Sequence, residues 1–187
     1  RVSNPSNQLN SMTYGGLINY LIKNKHWSPF EMVSMCVEIK TSRAIAQQIL
    51  RHRSFSFQEF SQRYALVQQL EEIELRIKGS TDRQGSSSNL ADNRSADIAN
   101  NALDHALRAY EMLIEANVAK ESARMVLPLA TATTLYMSGT LRSWIHYLDL
   151  RGTEHTQKEH RAIAYKVGEI LESEFPSIYK AIFEEEE

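Results

Sequence analysis

One cysteine, four prolines and seven glycines in 187 residues leave this chain with few of the devices that brace small extracellular folds. The lone thiol, Cys36, excludes an internal disulfide framework and fits a reducing, cytoplasmic setting. An excess of one charge is lacking too. Twenty-one basic against 23 acidic residues give a net charge of −2, which argues against a broad electrostatic binder of nucleic acid or membranes. Apolar runs are broken every few residues by Lys, Glu, Gln or Ser, and none approaches the roughly 20 residues of a bilayer span, so a soluble protein is expected. Arg1 stands where an initiator methionine would be, which predicts further residues upstream. What remains is 42% apolar content, enough for one sizeable core, and it predicts a single domain over 1–187.

Periodicity divides the chain into mixed elements. Leu17, Ile18, Leu21 and Ile22 predict a helix ending near Lys25, and Pro29 then breaks the pattern. Val33, Met35, Val37 and Ile39 alternate with Ser34, Cys36, Glu38 and Lys40, the period-two mark of a strand with one buried face. Cys36 falls on its polar side. From Ser42 the spacing turns helical through Ile45, Ala46, Ile49 and Leu50. Residues 66–79 fit both periods and are read as a helix followed by a short strand; the Gly-, Ser- and Asn-rich stretch from Gly79 to Ser95 predicts an exposed, mobile loop. Ile98, Leu103, Leu107, Tyr110, Leu113 and Ile114 draw a long helix over 96–117. A short helix before Pro128, a β-branched strand at "TATTLYMSG", a helix through Leu141, Trp144, Ile145 and Leu148, a long one over 155–172 and a last short one from Pro176 complete the reading, with a frayed "EEEE" end. No repeat is visible, and the fold class is α+β, a small central sheet flanked by long helices.

The chemistry concentrates in "RHRSFSFQEFSQRY", residues 51–64. Clustered guanidinium groups repel, and an anion relieves that repulsion, because arginine forks match phosphate oxygens in bidentate fashion. Arg51, Arg53 and Arg63 therefore suit a phosphate. A solvated loop with scattered ion pairs is the plain alternative. A non-enzymatic RNA or single-strand binder is another, with Phe55, Phe57 and Phe60 stacking on bases, and a structural α-rich assembly protein without ligand is a third.

Arg51-His52-Arg53, seven residues and then Ser61 reads RHR-x7-S, which with Glu59, Arg63 and Tyr64 resembles the signature of the flavin-dependent thymidylate synthases. Other segments agree in order. "HWSPFE" places His26, Ser28 and Glu31, Gln48 precedes Arg51 by three, and "ARMVLPL" carries Arg124. "SGTLRSWIHYLDLR" then supplies Thr140, Arg142, His146 and Arg151, and "EHTQKE" brings Gln157. Met32, Thr140 and Thr153 depart from the family's common His, Asn and Asp; Thr140 still offers one donor and one acceptor.

The resemblance implies an enzyme that converts dUMP to dTMP, with methylenetetrahydrofolate as carbon donor, FAD as hydride carrier and NADPH as reductant. It further implies an obligate oligomer, a homotetramer with sites shared between subunits, with no nucleic-acid or membrane partner and no metal. By the same resemblance Gln48, Arg51, Glu59, Ser61, Gln62, Arg63, Arg124 and Arg151 hold dUMP, and Arg151 favours the ionised pyrimidine as the catalytic group. Ser28, Arg51, His52, Arg53, Glu59, Thr140, Arg142 and His146 contact FAD, and His26 lies on the folate side. Ser61 lacks a positioned base and reads as a ligand rather than a nucleophile. Cys36, with only Lys40 as a neighbouring cation, reads as structural, as does Trp144. His155 and His160, five apart, do not share a helix face and make a poor zinc pair; His105 reads as structural.

Overall fold

The computed structural model describes residues 4–10, 12–67, 69–80, 84–90 and 92–183. These form two compact units, Val37–Met137 and Arg1–Cys36 with Ser138–Glu187. Among the described residues no helix is long and apolar enough to cross a membrane.

In the Val37–Met137 unit the predicted alternation becomes strand β1, Ser34–Ser42, whose Val37, Ile39 and Thr41 are buried while Cys36, Glu38 and Lys40 are exposed. It leads directly into helix α2, Arg43–Ile49, which buries Ile45, Ala46 and Ile49. Strand β2, Ser56–Glu59, strands β3, Arg76–Lys78, and β4, Ser86–Asn89, helix α3, Asn93–Glu115, the short α4, Lys120–Ala123, and strand β5, Ala132–Thr140, follow. The main sheet has the order β1-β5-β2, so the last strand takes the centre. It does so because Thr133, Leu135 and Met137 give β5 a fully buried face, whereas the short β2 suits an edge. Val67, Tyr110 and Ala123 form a second cluster beneath α3 and α4, where the Tyr110 hydroxyl accepts from Val67 N at 3.3 Å.

Two expectations fail here. Among the described residues no helix forms over the stretch after Leu66; residues 69–71 run extended beside 130–132, with Leu70 bridged to Thr131 and Glu71 N donating to Ala130 O at 2.7 Å. Ile73 and Ile77 stay exposed, so the helical stripe has nothing to bury against and backbone pairing wins. The predicted short strand is present as β3. It pairs antiparallel with β4, which lies inside the stretch read as loop, and every β4 residue is exposed.

In the second unit, α1 is Tyr14–Lys23 and a 3-10 turn spans Ser28–Glu31. Helices α5, Leu141–Arg151, α6, Lys158–Glu174, and α7, Pro176–Phe183, complete it. Helix α5 packs on α6 and α7 on α1 and α6. The core is Leu141, Trp144, Ile145, Tyr147 and Leu148 with His160, Ala164, Val167, Leu171 and Ile178. Trp144 is fully buried, as expected of packing, and its indole N–H donates to Met35 O at 3.0 Å. The terminal "EEEE" lies outside the described residues.

Candidate active site

At the start of α2 the first backbone donors find partners at once. Ser42 Oγ accepts from Ile45 N at 3.4 Å, while Arg43 N and Ala44 N donate to Thr131 O and Leu129 O at 2.9 and 3.0 Å. These bonds lock the first turn of α2 against the 129–131 segment and aim Arg43 into a cavity of about 320 Å³. Arg43, Gln47, Glu59, Gln62, Arg124, Leu127, Pro128, Leu129 and Thr131 line it, all from the Val37–Met137 unit.

Its polar floor is a connected network. Arg43 Nη1 sits 2.5 Å from Glu59 Oε1, Arg43 Nη2 donates to Gln62 Oε1 at 3.0 Å, and the Thr133 hydroxyl donates to Glu59 Oε1 at 2.9 Å. The ion pair is mostly enclosed, its side chains 23% and 18% exposed, so water screens it little. Arg124 opens a 3-10 turn, Arg124–Val126, and donates from Nε to Glu121 O at 3.4 Å. Two guanidinium groups, one carboxylate and two amides around a space of small-molecule size suit an anion that also carries hydroxyls.

Of the residues expected to hold a nucleotide, Glu59, Gln62 and Arg124 meet in this cavity. Arg51, Gln48, Ser61 and Arg63 do not line it. Arg63 instead faces exposed Glu121 at 3.3 Å, and Ser61 Oγ accepts from Arg63 N at 3.4 Å in a local turn. Arg43 and Gln47 were not foreseen. A helical wheel was the available signal: they lie four apart on α2 and share a face.

The "RHR" segment forms successive tight turns, with His52 N donating to Ile49 O at 3.0 Å and Phe55 N to His52 O at 3.2 Å. Arg51 and Arg53 are left exposed, and His52 stands edge-on to Phe55 at 6.4 Å. Phe55 is buried and Phe57 half-buried, so this trio is no open platform for stacking bases.

In the other unit Arg142 is ion-paired with Glu31, and both are exposed. Exposed His146 meets Trp27 edge-on at 4.9 Å. Ser28 begins the 3-10 turn beside them, which packs on α5. Thr140 caps α5, its Oγ1 accepting from Ser143 N at 3.4 Å, and His26 lies edge-on to Tyr20 at 5.8 Å. Arg151 is half-buried at the end of α5. Burial pushes the Tyr147 hydroxyl far above its ordinary pKa, with the positive charge of Arg151 pulling weakly the other way. A cavity of about 660 Å³ between α5, α6 and α7 is lined by Asp149, Glu169, Tyr165, Tyr179 and Phe183 among others, a composition that repels phosphate.

Residues 1–177 match the family model described as thymidylate synthase complementing protein. The sequence is 47% identical to a probable flavin-dependent thymidylate synthase of Paramecium bursaria Chlorella virus 1, covering 97% of this chain and 86% of that protein. It is 46% identical to a flavin-dependent thymidylate synthase of Synechocystis sp., over 97% of this chain and 85% of the relative. In three dimensions it resembles the crystal structure of a UMP/dUMP methylase, PolB, from Streptomyces cacaoi bound with 5-Br dUMP. The TM-score is 0.84 at 28% identity, covering 95% of this chain and 82% of that one.

Proposed function

The chain belongs to the flavin-dependent thymidylate synthase family, and from that premise we propose that it converts dUMP to dTMP, with methylenetetrahydrofolate as carbon donor and NADPH as reductant. The observation that carries this reading is the convergence of Arg43, Arg124, Glu59 and Gln62 on one cavity of about 320 Å³. The relative PolB, described as a UMP/dUMP methylase and bound with 5-Br dUMP, supports a pyrimidine nucleotide as its occupant.

Arg124 and Arg43 grip the phosphate through charge-assisted bonds, each worth roughly 1.5–3 kcal/mol. Glu59, held by Thr133 and Arg43, keeps an acceptor for a nucleotide hydroxyl. Gln62 completes the cavity's own lining, and Gln48, Arg51, Ser61 and Arg63, which lie outside it, join the seat in the shared site of the oligomer. Arg151 lies at the pyrimidine edge, where its fixed charge stabilises the negative charge that develops on the ring.

The residues present fit FAD. Exposed Arg51 and Arg53 on a closed turn suit a pyrophosphate, and exposed Arg142 and His146 beside Ser28 offer donors to a heterocycle. His52, Glu59 and Thr140 complete this set, and His26 takes the folate side. When bound, the flavin would supply the hydride that the uracil ring takes up once the carbon unit has been joined to it. No thiolate takes part, and exposed Cys36 sits on the polar face of β1.

We place these sites in a homotetramer in which subunits share them. Met32, Tyr64 and Met125, each at least 78% exposed, are apolar groups that self-association would cover. The protein acts in the cytoplasm, with no nucleic-acid or membrane partner.

Purified protein given FAD should acquire the flavin absorption bands, and with dUMP, methylenetetrahydrofolate and NADPH it should form dTMP, read by chromatography. A colourless protein that takes up no flavin, or a flavin-loaded one that forms no dTMP, defeats the proposal. Tight, steeply salt-dependent binding of a single-stranded oligonucleotide by colourless protein would point to the nucleic-acid alternative instead.

A further inference from the structure

Helix α5 ends on Arg151, and the side chain one turn earlier on the same face is Tyr147. Tyr147 is 1% exposed and His160 of α6 is fully buried, yet both carry polar atoms. They satisfy one another: the Tyr147 hydroxyl lies 3.1 Å from His160 Nε2, with ring centroids 5.8 Å apart. Trp144 closes the other side of the tyrosine, edge-on at 5.6 Å and 86°. The ring is therefore pinned in position, its hydroxyl anchored and its edge packed.

The turn that bears Arg151 is tied down by the same neighbourhood. Tyr165 of α6 donates from its hydroxyl to Gly152 O at 3.2 Å, the Thr156 hydroxyl donates to Leu150 O at 3.4 Å, and Gly152 N donates to Leu148 O at 2.8 Å. A Cβ at Gly152 would stand 2.8 Å from Leu148 O, so this closure needs glycine. Helix ends normally fray, and this one is fastened where it carries a half-buried arginine. A buried tyrosine–histidine pair is also a poor way to gain stability, since apolar residues of similar volume would fill the space without desolvating two polar groups.

We propose that Tyr147 and His160 are a positioning pair for Arg151: the anchored phenol ring is the platform that fixes the rotamer from which the guanidinium reaches the substrate. This rests on the role given to Arg151 above. Both residues are buried, so they act through Arg151 rather than on the substrate directly. Tyr147 and Arg151 lie four positions apart on α5, which makes their side chains neighbours on one helix face.

The test uses flavin-loaded enzyme and dTMP formation, with Tyr147→Phe, His160→Leu, His160→Gln, Arg151→Ala and the double variant Tyr147→Phe/Arg151→Ala. Melting temperature and bound-flavin absorbance are recorded for each. Arg151→Ala should lower kcat by about 10²–10³. Tyr147→Phe and His160→Leu should each lower kcat about tenfold, as expected of a displacement smaller than the ~1 Å that costs about 10². Flavin content should not change, and His160→Gln, which can still bond the hydroxyl, should recover most of the loss. In the Arg151→Ala background, Tyr147→Phe should have no further effect. Should His160→Leu fail to fold, Tyr147→Phe, which removes one oxygen, carries the test. An equal loss from Tyr147→Phe in both backgrounds, or a lowered melting temperature with unchanged kcat, overturns the positioning role. Unchanged turnover in Arg151→Ala alone would instead remove the reading of Arg151 on which the pair depends.

Discussion

The junctions β1–α2 and β5–α5 use nearly the same local sequence logic and reach different ends. Each joins a nine-residue strand to a helix through one hydroxyl residue in extended backbone, Ser42 at φ −81°, ψ 158° and Thr140 at φ −71°, ψ 159°. Each cap accepts from the N–H three residues on. Each places an arginine in the first helical turn that pairs with a glutamate of its own unit, Arg43 with Glu59 and Arg142 with Glu31. The arginines differ by one helix position, first after Ser42 but second after Thr140, which is a rotation of about 100°. Arg43 accordingly turns into a cavity and Arg142 toward solvent: the first pair is 23% and 18% exposed, the second 45% and 39%. One residue of phase separates an arginine that lines the cavity proposed for substrate from a surface ion pair.

The strongest way to break this comparison is Arg43→Met. It strips Glu59 and Gln62 of their shared partner inside the cavity and removes one of two cations there. Unfolding free energy should fall by about 1–3 kcal/mol, the cost of a part-buried group left unsatisfied. Affinity for dUMP, measured by calorimetry, should fall about 10- to 100-fold. Unchanged affinity would mean that the nucleotide sits elsewhere.

Removing the caps gives a smaller effect. Ser42→Ala and Thr140→Ala should each cost about 1 kcal/mol by chemical denaturation. Ser42→Ala should also weaken dUMP binding, because the same turn aims Arg43, while Thr140→Ala should not. Equal effects of both on dUMP would erase the distinction between the junctions.

Both junctions were legible in the sequence because strands and helices there carry clean periods. Val33 to Lys40 alternates and Ile45 to Leu50 does not, and the switch point falls at Ser42 as the structure has it. The stretch after Leu66 was not legible, since Ile73 satisfies both periods and the outcome was set by backbone bonds to residues 130–132, some sixty positions away. Motif resemblance pointed to Glu59, Gln62 and Arg124, which do meet. It missed Arg43 and Gln47, because a cavity wall is decided by helix phase and by the 129–131 segment that receives the first N–H groups of α2. The tyrosine–histidine pair was hidden for a similar reason. Helical spacing compares His160 with His155, which lies before the start of α6, whereas the partner of His160 is on α5.

A smaller effect still is expected from Arg142→Met with Glu31→Gln. In a double-mutant cycle on apo protein their coupling should be about 0–1 kcal/mol, as for other exposed pairs, and it should shrink with added salt. Coupling as large as that of Arg43 with Glu59 would show that first-turn phase does not govern the difference.

The smallest effect sharpens the comparison with a third cap. Asp92 begins α3 and accepts from Ser95 Oγ, Ser95 N and Arg94 N. The Ser95 hydroxyl above all, then its backbone N–H, hold the Asp92 carboxyl below its ordinary value. A carboxyl depressed on folding contributes stability that is present above its unfolded pKa, near 3.9, and is lost as pH falls through the lower folded value. Asp92→Ser keeps a capping oxygen without the charge. Its melting temperature should therefore lie slightly below that of the parent at neutral pH, and the gap should narrow as pH falls below the unfolded carboxyl value. The deficits of Ser42→Ala and Thr140→Ala should stay constant over the same range, because a hydroxyl cap has no proton to gain. A gap that persists unchanged into acid would mean that Asp92 acts through its shape and hydrogen bonds alone, and that the charge at this helix start contributes nothing beyond what Ser42 and Thr140 already supply at theirs.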